Sequence, residues 1–145
     1  DYKNNICVLA NLDIFFDKTL EHVKNFDKWD DYVMALTRWE FDGQKQSHYL
    51  NWDYSQDVWI WKSPLNIKGI EADFPLGMQG CDNRIAYELG KNYNVINPCK
   101  TIRCHHFHTT QYRTYRAGDL SQTVPEPHVR VKHIELGEKY YDKRL

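Results

Sequence analysis

The chain reads as an α/β domain, a mixed β-sheet flanked by helices, on three observations. Residues 6–10, Ile6-Cys7-Val8-Leu9-Ala10, are a continuous apolar run ending in a polar cluster, the pattern of a strand buried on both faces. A turn bearing Gly77 and Gly80 leads into Ile85, Ala86 and Leu89 at helical spacing. Elsewhere short apolar runs alternate loosely with helical and loop-like stretches, which points to α/β rather than to segregated strands and helices.

Taken in order, residues 18–26 read as a short helix capped by Asp17, with Leu20, Val23 and Phe26 turned inward. Val33 to Trp39 reads as a second strand. The polar segment 40–56 reads as a long surface loop, and long loops inside compact domains tend to be functional. A third strand covers 57–61 and is closed by the Ser63-Pro64 turn. The helix of 77–90 follows, with Asp82 near its N-cap. Asn94 to Pro98 is a short strand stopped by proline, and 101–108 is a further extended piece carrying histidines. Alternation over 128–134 suggests a late edge or hairpin strand. With no repeat, low-complexity block or linker, residues 1–145 read as a single domain.

A net charge of −1 with neutral histidines leaves no broad basic surface, which argues against nucleic acid as partner. No apolar run approaches the roughly 18 residues of a membrane span and no signal-peptide pattern opens the chain, so a soluble protein is expected. Cys7, Cys81, Cys99 and Cys104 stand singly, which favours reduced thiols and a cytoplasmic setting. Aromatic rings crowd polar stretches such as Tyr49-Leu50-Asn51-Trp52-Asp53-Tyr54, where they can stack on flat ligands as well as fill a core.

Four constellations carry candidate chemistry. Asp82 at a helix mouth is placed to act as a cap, as a catalytic base, or as both. Asn11-Leu12-Asp13, where the first strand ends, can present oxygen ligands to Mg²⁺ or Mn²⁺; alternatively Asp13 and Asp17 bond local amides in a turn. In Cys104-His105-His106-Phe107-His108 an extended backbone puts His106 and His108 on one face, suited to a metal. A rival reading adds Cys99 and Cys104 and a zinc ion, although the C-x4-C-x-H-x-H spacing is not a common zinc pattern. Asp57, beside Trp52, Trp59 and Trp61, is a ligand for an acceptor hydroxyl, a second candidate base, or a plain loop carboxylate.

In order along the chain, ANLDIFFD (10–17), ALTRW (35–39), SQDVWIW (55–61), ADFPLGMQGCDNRIAYEL (72–89), NP (97–98) and H-x-H-x-T-x-x-R-x-Y (106–115) resemble a glycosyltransferase of the GT-A type. The resemblance spans about residues 6–115, with 116–145 beyond it. It implies a metal-assisted transfer of sugar from a nucleotide-sugar donor to a saccharide hydroxyl. Asn11-Leu12-Asp13 is similar to the family's D-x-D motif, with Asn11 in place of the first Asp and Asp13 as principal ligand of Mn²⁺ or Mg²⁺. His106 or His108 would join it on the metal, and Asn11, Asp13 and Arg113 would contact the donor. Asp82 would be the base of an inverting reaction, with Asp57 its alternate; Trp52, Trp59, Trp61 and Asn83 would contact saccharide. Complete members carry a nucleotide-binding βαβ portion upstream of the D-x-D strand, so the resemblance implies the C-terminal part of such a domain. Two other classes stand beside it: a metal-dependent hydrolase built on His106 and His108, and a non-catalytic carbohydrate-binding module built on the aromatic loop.

Overall fold

The computed structural model describes residues 3–44, 46–107 and 118–137. It is mixed α/β, mostly sheet, with its strands in two four-stranded mixed sheets rather than the one sheet expected. In the first, β1 (Ile6–Ala10), β6 (Val58–Lys62), β3 (Tyr32–Leu36) and β7 (Asn94–Ile96) lie in that order. β6 runs antiparallel to both β1 and β3, while β7 runs parallel to β3. The second sheet has the order β2 (Ile14–Phe16), β8 (Cys104–Phe107), β4 (Trp39–Phe41), β5 (Ser47–Tyr49).

The period-2 alternation of β3 and β6 sorts the core. Met34, Leu36, Val58 and Ile60 point to one side of the first sheet, where they meet Val23, Phe26, Trp29, Ile102 and Cys104. Val33, Ala35 and Trp59 point to the other, against Leu89 of α1 (Cys81–Leu89). The helix expected over 18–26 is a 3₁₀ helix, Lys18–Asn25, capped by Asp17, whose carboxylate accepts from the Thr19 amide. Leu20, Val23 and Phe26 recur every three residues, and a three-residue turn stacks that spacing on one face.

Three further expectations are corrected. The second strand ends at Leu36, because the Thr37 amide donates to Asn97 Oδ1 and the Thr37 hydroxyl donates to the Ser55 carbonyl; Trp39–Phe41 then joins the other sheet. The supposed loop of 40–56 contains the β4–β5 hairpin, turning at Gly43 with φ 80°. The segment 128–134 is no strand. Its amides go to three separate places, Val129 to Asn83, Val131 to Asp53 and Ile134 to Asn97, so no ladder forms. Among the described residues no helix is long and apolar enough to cross a membrane, and all four cysteines are free.

Candidate functional site

Where β1 ends, Asn11 and Asp13 stand at the two ends of one run of side-chain hydrogen bonds. Asn11 Nδ2 donates to Asp57 Oδ1 at 3.0 Å, and Arg38 Nη1 donates to the same oxygen at 2.9 Å. Arg38 Nε donates to Glu40 Oε1 at 2.6 Å. The other Glu40 oxygen, Oε2, lies 2.7 Å from His106 Nδ1, and His106 Nε2 lies 2.9 Å from Asp13 Oδ2. The topology explains the meeting. β4 lies beside β8, with Glu40 and His106 as register partners, and β2 brings Asp13 to the opposite edge of β8. Asp57 arrives from the start of β6, where its amide donates to the Leu36 carbonyl.

Asp82 joins this circuit through the neighbour of Asp57. Its Oδ2 accepts the Gln56 amide at 3.0 Å and its Oδ1 accepts the Asn83 amide at 3.0 Å. It is not the N-cap of α1. That position belongs to Gly80 at φ 82°, with no side-chain cap, and Asp82 sits inside the first turn at the positive end of the helix dipole. Glycine is required at 80 on two counts: the positive φ, and the His128 ring, whose nearest atom would stand 2.8 Å from an added Cβ.

Among the described residues, Asp13, Glu40 and Asp57 face Arg38 and His106, while Asp82 feels the charge of Asp57. Burial pushes the Asp57 carboxyl up against the opposing pull of Arg38, His106 and Asn11. Burial also raises Asp82; the Gln56 and Asn83 amides oppose it and the charge of Asp57 adds to it. At Glu40 burial is outweighed by the hydrogen bonds of His106 and Arg38, and its carboxyl lies below the ordinary value. Arg38 loses hydration, yet the Asp57 and Glu40 carboxylates still drive its guanidinium further from deprotonation. Asp57 is 3% exposed, and its Oδ2 is buried with no hydrogen-bond partner among the described residues. A buried carboxylate oxygen without a donor is costly, and a bound hydroxyl would satisfy it.

Asp13 Oδ2 and His106 Nε2 suit adjacent positions on one divalent ion. In this structure the two atoms share a hydrogen bond of 2.9 Å, and a divalent ion would take the place of its proton. Glu40 on Nδ1 would orient the ring as second carboxylates do at metal-bound histidines. Among the described residues no group of three or more His, Cys, Asp or Glu is arranged to hold a metal. Two protein donors remain workable, since Mg²⁺ keeps several waters and fills its shell with substrate phosphates.

The remaining candidates fall elsewhere. Trp59, 6% exposed, and Trp61 lie in the core beneath α1 rather than on a surface platform, because both fall on the helix-facing side of β6. Trp52 is 37% exposed and stacked on Tyr54 at 6.0 Å, so this pair forms the open aromatic surface. Asn83 Nδ2 donates to the Val129 carbonyl. His108 and Arg113 lie outside the described residues. His105 faces away from His106, its Nδ1 2.7 Å from Ser47 Oγ and its Nε2 3.0 Å from Asp17 Oδ2, which ties β5 to the 3₁₀ helix. Cys104 is buried against the Thr37 carbonyl.

Arg38 and Glu40 are the site residues that sequence reasoning missed. Their i, i+2 spacing on an extended chain, which puts both side chains on one face, was the available signal. Comparisons with known protein families, curated proteins and solved structures return no match to this chain.

Proposed function

We propose that this chain carries the transfer machinery of a GT-A glycosyltransferase, moving a sugar from a nucleotide-sugar donor to a saccharide hydroxyl. One observation carries the reading. Asp13, Asp57, Asp82 and His106, scattered over ninety-odd residues, are drawn to one place by the circuit through Arg38 and Glu40. Asp82 takes the proton of the attacking hydroxyl. The dipole of α1 and two backbone amides keep a carboxylate usable there, while burial and Asp57 make it more basic than an exposed one. The unpartnered Oδ2 of Asp57 accepts a hydroxyl of donor or acceptor and so orients it. Asp13 and His106 would hold Mn²⁺ or Mg²⁺. A divalent ion, when bound, supplies positive charge for the departing diphosphate. Trp52 and Tyr54 offer ring faces to a sugar. The four free thiols suit a reducing, cytoplasmic setting.

The test is direct. The protein is incubated with Mn²⁺, a panel of uridine-, guanosine- and thymidine-diphosphate sugars, and mixed oligosaccharides, and products are read by mass spectrometry. A product heavier by one sugar residue supports the reading. Release of free sugar at the same rate with and without acceptor assigns hydrolysis instead, and no turnover of any donor removes the enzyme reading.

A further inference from the structure

A cavity of about 680 Å³ lies between α1, the edge strand β7 and the segment 129–134, and none of the circuit's carboxylates is among its described lining residues. Its size falls within the range of small-ligand sites. Three tyrosines, Tyr32, Tyr87 and Tyr93, and three cations, Lys91, Arg130 and Lys132, line it, and none of its described lining residues is acidic. Lys91 is paired with Glu88 at 2.5 Å and lies over the Tyr87 ring. Arg130 reaches Asp53 only at 3.7 Å, with most of its side chain in solvent. Lys132 makes no ion pair among the described residues.

The cavity and the proposed base share α1. Ala86, four residues beyond Asp82, is in its wall, about 6 Å farther along the helix axis and on nearly the same face. Val129 is in the wall as well, and its amide and carbonyl clamp Asn83 in the first turn.

We propose that this cavity binds an acidic saccharide, a chain carrying carboxylates, and is the acceptor subsite for the transfer; the acceptor role rests on the glycosyltransferase reading. Tyrosine rings stack on sugar faces and leave their hydroxyls for hydrogen bonds. Arg130 and Lys132 supply charge that a neutral glycan would not use and a uronate would. A saccharide seated there extends along α1 toward Asp82 and offers its terminal hydroxyl to the base.

Calorimetry on the full chain with a galacturonate tetramer, maltotetraose and uridine monophosphate tests this. The galacturonate tetramer is expected to bind and maltotetraose to bind at least tenfold more weakly. The Arg130→Glu/Lys132→Glu double variant, changed only at exposed side chains, should lower galacturonate affinity at least tenfold. Equal binding of both tetramers, or no effect of the charge reversal, overturns the proposal. Uridine monophosphate binding that the reversal abolishes, with no galacturonate binding, assigns the cations to phosphate and also overturns it. The two readings fail separately. Galacturonate binding without transfer from any donor leaves the cavity as a saccharide site and removes its acceptor role, whereas efficient transfer to neutral acceptors alone removes the cavity proposal and keeps the transferase.

Discussion

Replacing Asp82 by Asn sets activity and stability in opposition. The carboxyl is raised above its ordinary 3.8 first by burial, with the nearby Asp57 charge adding to it. A group whose pKa is higher folded than unfolded binds its proton more tightly in the fold. The stabilisation from that proton is therefore complete below about pH 3.8 and disappears as pH rises through the folded value. The Asn variant lacks this titrating group and keeps the same charge at every pH. The amide carbonyl can replace only one of the two acceptors that serve Gln56 and Asn83, a loss of about 1 kcal/mol at every pH. Against this, the variant gains relative to the wild-type chain as pH rises through the raised value of the Asp82 carboxyl. For a chain of this size 1 kcal/mol corresponds to roughly 2–4 °C in Tm. Thermal unfolding of both chains from pH 4 to 8 should give curves that converge or cross, with the variant gaining as pH rises. Turnover should meanwhile fall about 10²- to 10⁴-fold, the contribution of a general base, with sugar-nucleotide affinity retained. The acid limb of the wild-type rate profile should lie above the ordinary carboxylate range. Parallel stability curves would refute the buried-carboxyl argument, and retained turnover would remove Asp82 as base.

Other substitutions probe the neighbouring parts. Arg38→Met leaves Asp57 buried without its cation and should cost about 3–5 kcal/mol in chemical denaturation; Arg38→Lys should restore only part, since an ammonium cannot reproduce the planar fork to Asp57 and Glu40. Asp13→Ala should weaken Mn²⁺-dependent binding of uridine diphosphate at least tenfold in calorimetry, and unchanged affinity would make Asn11-Leu12-Asp13 a turn only. Gly80→Ala should destabilise by about 1–3 kcal/mol from its positive φ and its approach to His128. Adding His128→Ala should recover the steric share of that loss, and a purely additive double mutant would place the whole cost in the backbone.

What could be read from the sequence were elements whose cause is local. The alternation in β6 and the glycine turn before α1 each carry their own instruction; the apolar run of β1 marked a strand but not its place, since β1 is an edge strand with Ile6, Val8 and Leu9 exposed rather than one buried on both faces. The break at Thr37 does not, because Val33 to Trp39 has no Gly or Pro; the chain turns there to satisfy Asn97 and Ser55, 60 and 18 residues away. Asp13 and His106 were recognised singly, by residue type and place in the chain. Glu40, which joins His106 to Arg38, sat in a polar stretch that reads as solvated and acquires its role only when β4 pairs with β8. The alternation of 128–134 suggested a strand, but Pro125 and Pro127 upstream and its scattered amide partners hold it as an isolated strap.

That strap has a consequence for the order in which the molecule is completed. Val129, Val131 and Ile134 fasten to Asn83, Asp53 and Asn97, sites that exist together only after α1, the aromatic loop and the end of β7 are in place. The expectation is that this segment closes as a latch after those elements have assembled. Hydrogen exchange at 129, 131 and 134 that slows together, and later than the amides of β3 and β6, is the signature of such a latch.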